Sequence, residues 1–135
     1  MPALDLLPGD YAVCRLPAGS ALPPGLVGGG NSTTNGKGAG VVSVTWTADE
    51  VSVICRADLV PDGATAEAPW RCLRVAGPLD FALTGVLASM VAPLAAARVT
   101  IMAFSTYDTD YILVPSVRLA EAVATLDRAG HPVAT

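Results

Sequence analysis

The sequence predicts a mixed α+β fold, and three observations carry that prediction. Two stretches, VVSVTWT (41–47) and EVSVICR (50–56), alternate β-branched with polar residues at the period of a strand with one wet face, and only Ala48-Asp49 separates them. Leu79, Leu83, Val86, Leu87, Met90 and Leu94 recur at three- and four-residue spacing, the mark of a helix with one buried face. From residue 70 onward the elements run strand, helix, strand, strand, helix and a short tail, the split βαβ order of ferredoxin-like folds.

Taken in chain order, YAVCRL (11–16) reads as a strand that Pro17 ends. Residues 18–40 are rich in Gly, Pro and Ser and read as a loop, in which ALPPGLV can form one helical turn with Pro at its start. The run GGGNSTTNGKGAG is not a phosphate loop, because that motif needs Lys followed by Ser or Thr and Lys37 is followed by Gly38. LVPDGATAEAP (59–69) is a turn-rich connector and marks the internal boundary, giving units 1–62 and 63–135. WRCLRVAG (70–77) is a strand, Gly77-Pro78 punctuates it, and the Asp80 carboxylate is placed to cap the helix that follows. RVTIMAF (98–104) is the next strand, STYDT a tight polar turn, and Asp110 to Val114 another strand. Ser116 then caps a helix with Leu119, Ala120, Val123 and Leu126 on one face, which Gly130 and Pro132 stop.

Composition narrows the functional classes. Apolar residues make up 52% of the 135-residue chain and charged ones 15%, more apolar surface than a small monomer hides, so a homodimer is expected. A net charge of −4 with eight scattered Lys and Arg argues against nucleic acid as a partner. The uncharged run 81–97 falls short of the roughly 20 residues that span a bilayer and contains Gly85 and Pro93, so it reads as a core helix and no membrane partner is expected. Cys14, Cys55 and Cys72, odd in number and without CxxC spacing, read as buried free thiols of a reducing compartment. Since no secretory signal precedes Arg15, a cytoplasmic protein is expected. The sole histidine, His131, lies in a Gly-His-Pro turn and reads as a surface residue, which leaves no Ser-His-Asp, Cys-His or His-based metal arrangement. Asp108 and Asp110 lack an accompanying nucleophile or phosphate cradle, so no catalytic residue, cofactor or metal is expected. Trp46 and Trp70 read as core or interface anchors.

The segments WRCLRVAGPLDFALTGVLASMVAPLAAA and FSTYDTDYILV, with TADEVSVIC in the first half, resemble ACT domains, and more narrowly the aspartate-kinase-like tandem ACT family whose relatives include the cytosolic arginine sensors. The resemblance implies two tandem ACT-like units packed side by side. It also implies a non-catalytic role: binding a free amino acid between units and transmitting that event allosterically to an enzyme or regulator. The first half departs from the family pattern, since its first helix is short or missing and the Gly-rich loop takes its place.

A free amino acid needs an acceptor for its ammonium beside donors for its carboxylate. By resemblance, Asp110 accepts from the ammonium while Thr106 and Tyr107 offer backbone groups. The competing reading is that Asp110 only closes the hairpin. Gly77, Leu79 and Phe81 belong to the turn and helix start that face the carboxylate, although Gly77 also fits a role in tight packing alone. By resemblance to the sensors, Ser52, flanked by Val51 and Val53, takes the position where the first unit faces the second unit's pocket, with plain wet-face filler as its alternative. Asp108 is read either as a partner for a basic ligand side chain or as a solvated turn carboxylate. The alternative to the amino-acid module is a ligand-free oligomerisation or interaction protein.

Overall fold

The computed structural model describes residues 2–27, 40–80 and 82–135. Along them run β1 (Leu4–Leu6), β2 (Tyr11–Pro17), α1 (Pro24–Val27), β3 (Ser43–Trp46), β4 (Glu50–Arg56), β5 (Thr65–Val75), α2 (Val86–Ala96), β6 (Met102–Ser105), β7 (Asp110–Pro115), α3 (Leu119–Arg128) and β8 (Val133–Ala134). The chain divides into a larger unit, Met1–Pro8 with Trp70–Thr135, and a smaller one, Gly9–Pro69. The division thus falls at Pro69 and Trp70 rather than at 62 and 63. The first eight residues join the second half because β1 pairs with β5 and with β8.

In the larger unit, β5 pairs antiparallel with β7 from Trp70↔Pro115 to Arg74↔Tyr111, and β6 and β7 form a hairpin. β1 lies antiparallel to β5 and parallel to β8, which gives the order β8-β1-β5-β7-β6. The series β5-α2-β6-β7-α3-β8 is the complete βαββαβ pattern, so the tail is its sixth element. β1 is an extra strand inserted between β5 and β8. Leu4, Leu73, Val75, Ile112 and Val114 from the sheet pack with Met90, Leu94, Ala122 and Leu126 from the two helices. Each large apolar side chain so buried contributes about 1.5–3 kcal/mol.

Three helix expectations are corrected. α2 begins at Val86, not near Asp80, with Gly85 at its N-cap in the left-handed region (φ 75°). Instead of capping the helix, Asp80 closes its own turn, its Oδ1 accepting from the Ala82 N–H (2.8 Å) and its carbonyl from the Leu83 N–H (3.0 Å). Leu83 is consequently 56% exposed rather than on a buried helix face. α3 begins at Leu119 after a 3-10 turn, Ser116–Arg118, and buries Ala122, Thr125 and Leu126, while Ala120 is exposed.

The strand expected from Arg98 starts only at Met102, because residues 97–99 wind up the end of α2. Arg98 adopts φ 59° while Val99 N–H donates back to the Leu94 carbonyl (2.9 Å), the left-handed closure usual at helix C-termini. Arg118 reaches the same end, its guanidinium donating to the Arg98 and Ala97 carbonyls (3.4 Å each) while paired with Glu121 (2.7 Å).

His131 is also corrected: it is fully buried, not a surface residue. Its N–H donates to the Leu126 carbonyl (2.9 Å), which turns the chain back after α3, and its Nδ1 lies 3.0 Å from the Pro2 carbonyl.

The smaller unit has the antiparallel order β3-β4-β2. Ala12, Cys14, Leu16, Leu26, Val51, Val53 and Cys55 form its core. The Tyr11 hydroxyl accepts from the Val41 N–H (3.2 Å), and Gly40 (φ 69°) is required beside it, because a Cβ there would stand 2.6 Å from that oxygen. Most of the Gly-rich run, residues 28–39, lies outside the described residues. Trp46 is 65% exposed and is no core anchor. The connector expected over 59–69 becomes strand from Thr65 onward.

All three cysteines are buried free thiols. Burial pushes Cys72 up to about 12; Cys55 rises to about 12 through burial and the neighbouring Cys14. Among the described residues, no helix is long and apolar enough to cross a membrane.

Candidate functional site

The site is built on the turn between β6 and β7. Thr106 N–H donates to the Thr109 carbonyl (2.9 Å) and the Thr106 hydroxyl reaches the same oxygen (3.3 Å), closing the turn. The Thr109 hydroxyl, buried, donates to the Val75 carbonyl (2.7 Å) and ties the turn to the end of β5. Leu79 N–H donates to the Asp108 carbonyl (2.7 Å), which draws the segment after Gly77 against the turn. That approach is why residue 77 is glycine: a Cβ there would stand 3.2 Å from Asp108 O, Leu79 N and Thr109 Cβ alike.

Directly behind the turn, Ser105 and Asp110 form the last cross-strand pair, and the Ser105 hydroxyl donates to Asp110 Oδ1 at 2.5 Å. A hydroxyl bonded this closely to a carboxylate is a charge-assisted contact that fixes its orientation. Beside them lies a cavity of about 280 Å³ lined by the turn, by Asp80 and by Leu79, Leu83, Gly85, Val86 and Leu87. Among the described residues that line it are three carboxylates (Asp80, Asp108, Asp110) and no Lys, Arg or His. The first turn of α2 borders it, and backbone N–H groups there lack intrahelical partners and favour anions. One cavity thus offers acceptors for a cation, donors for an anion and an apolar wall. Its size lies near the lower end of the roughly 300–1,000 Å³ usual for small-molecule sites.

Of the residues singled out in the sequence, Leu79, Thr106, Tyr107, Asp108 and Asp110 line this cavity together. Gly77 lines a second one, of about 290 Å³, on which Asp5, Arg74 and Tyr111 also open. Phe81 lies outside the described residues. Ser52 and Val53 belong to the smaller unit, where Ser52 pairs with Arg15 and Thr45 across the strands and the Val53 side chain is fully buried in the core. The Leu79 N–H, expected to face a ligand, is taken by Asp108. Sequence reasoning missed Ser105, Asp80 as a wall residue, and the Gly85-Val86-Leu87 helix start. A polar residue at each end of the TYDT turn was the available signal for the Ser105–Asp110 pair. Among the described residues no three His, Cys, Asp or Glu side chains are arranged to hold a metal ion.

A family model described as an ACT domain matches residues 65–128. Among curated proteins, the cytosolic arginine sensor for mTORC1 subunit 1 of Bos taurus is 40% identical over 68 residues, 47% of this chain and 21% of that protein. The Homo sapiens protein of the same name is 37% identical over 60 residues, 44% of this chain and 18% of its own length. The chain therefore matches only about a fifth of the length of these relatives. Among solved structures, protein Atu0741 from Agrobacterium tumefaciens aligns over 98% of this chain and 91% of its own, with 33% identity and a TM-score of 0.83. The regulatory subunit of aspartate kinase from Thermus thermophilus covers 95% of each chain at 16% identity and a TM-score of 0.58, and shares the fold. The turn, α2 and the series β5-α2-β6-β7-α3 lie within the matched segment, and residues 65–128 of the chain are an ACT domain.

Proposed function

We propose that this chain is a non-catalytic regulatory module that holds a free amino acid at the 105–110 hairpin and conveys its occupancy to a partner. The observation that carries this reading is the cavity of about 280 Å³ where carboxylates, an apolar wall and a helix start converge. Asp110, oriented by Ser105, accepts from the α-ammonium. The first-turn N–H groups of α2 receive the α-carboxylate. Leu79, Leu83, Val86 and Leu87 pack on the aliphatic part of the side chain. Asp80 and Asp108 add negative charge with no cation to offset it among the described lining residues, so a basic amino acid is the best electrostatic match. The relatives named as cytosolic sensors of arginine support that choice and a cytoplasmic setting.

Regulation follows from differential affinity: the ligand stabilises whichever arrangement of the protein binds it more tightly, and an enzyme or regulator reads that arrangement. Thermal denaturation in the presence of each of the twenty amino acids tests the reading. Arginine or lysine is expected to raise the melting temperature, by an amount corresponding to about 2.7 kcal/mol at a hundredfold excess over Kd. Silence across all twenty at millimolar concentration overturns it. The exposed Trp46, Leu83, Tyr107 and Val117 favour a second reading, a ligand-free module that pairs with another copy, for which concentration-dependent self-association without any ligand shift is the expected result.

A further inference from the structure

The two units contain the same hairpin with different side chains at its base. In the larger unit the Thr106 N–H and hydroxyl both meet the Thr109 carbonyl (2.9 and 3.3 Å), and Thr109 N–H reaches back to the Thr106 hydroxyl (3.4 Å). In the smaller unit the Thr47 N–H and hydroxyl both meet the Glu50 carbonyl (2.9 and 3.3 Å), and Glu50 N–H reaches back to the Thr47 hydroxyl (3.0 Å). The strand registers correspond as well: Ser105↔Asp110 closes one hairpin as Trp46↔Val51 closes the other, and Arg74↔Tyr111 matches Arg15↔Ser52. One chain separation relates Arg15 to Arg74, Trp46 to Ser105, Thr47 to Thr106, Asp49 to Asp108 and Val51 to Asp110. The chain is an internal repeat at the level of individual hydrogen bonds.

The copies diverge at the residues the candidate site uses. Where the larger unit has Asp110, the smaller has Val51, fully buried; where it has Ser105, the smaller has Trp46. The counterpart of Asp80 is Ala21. Asp108 alone keeps a carboxylate counterpart, Asp49, and there the Arg15 guanidinium donates to the Asp49 carbonyl (3.1 Å). An ammonium arriving at the second hairpin meets valine instead of an oriented carboxylate.

We propose that the repeat is functionally one-sided: the 105–110 hairpin takes one amino acid per chain, with Ser105 positioning Asp110, and the 46–51 hairpin takes none. This rests on the amino-acid reading above. Isothermal titration of the whole chain with arginine tests it. The expected stoichiometry is one per chain, and Asp110→Asn abolishes the heat. Ser105→Ala keeps the stoichiometry and weakens affinity about tenfold, Ser105→Thr restores it, and neither changes the melting temperature of the unliganded protein; equal loss in both variants overturns the positioning role. Trp46→Ala leaves binding unchanged. Two equivalents per chain, or one equivalent surviving in Asp110→Asn, overturns one-sidedness while leaving amino-acid binding intact. Absence of heat with arginine and with the other nineteen overturns both.

Discussion

Asp110 stands at the base of a four-residue turn with its carboxylate held by Ser105 at 2.5 Å, and the fold supplies the rest of that geometry through Gly77. The backbone of the hairpin turn and the chain after β5 meet at residue 77, where a Cβ has 3.2 Å to each of three neighbours, two of them backbone atoms. Gly77→Ala is therefore expected to push the turn outward and cost about 1–3 kcal/mol, read from the urea midpoint, with weaker amino-acid binding. Unchanged stability and affinity would show that the close approach is dispensable. Asp110 was legible in the sequence because a cluster of hydroxyls and carboxylates directly before an apolar strand needs a reason. His131 was not, because its burial depends on β1 and β8, strands of three and two residues that leave no periodic trace.

At the level of elements, the periodicity that places a helix over 79–94 runs on beyond the helix itself. Leu79 packs on the core without being helical, since its N–H is committed to the hairpin turn, and Gly85 in the left-handed region sets where α2 starts. At the other end Arg98 occupies a left-handed position where glycine carries no penalty. Arg98→Gly is expected to stabilise the protein by roughly 1 kcal/mol, measured as a rise in melting temperature; a fall would mean that the arginine side chain contributes more than its backbone costs. Arg118 joins the α2 carbonyls to Glu121, and the guanidinium holds the Glu121 carboxyl below the usual glutamate range. The contribution of that pair is present above the unfolded glutamate value, about 4.3, and is lost as pH falls through the lower folded value. Arg118→Gln loses the α2 carbonyl contacts at every pH and the Glu121 pair only where that carboxylate is charged, so its cost is expected to be larger at neutral than at acid pH, which denaturation curves at pH 3 and 7 compare.

For the whole molecule, the α+β class, the hairpins and the order of the second half were readable from alternation and helical spacing. The division at Pro69 was not, because it depends on an N-terminal strand pairing far along the chain. The buried thiols act on global stability. Cys55 and Cys72 stay protonated in the fold up to about 12, whereas the unfolded chain ionises them near the ordinary value of 9.0. Their contribution is complete below pH 9 and declines as pH rises toward 12. Cys72→Ala, measured across that interval, is expected to flatten the decline; an unchanged slope would assign it to other groups. The central claim is that the 105–110 hairpin and the start of α2 form one amino-acid site, and amide chemical shifts followed by nuclear magnetic resonance during an arginine titration test it most directly. The predicted result is saturable movement concentrated at residues 79–87 and 105–110, with residues 43–52 still and the response absent in Asp110→Asn. No movement with arginine or any other amino acid, or movement centred elsewhere, would contradict it.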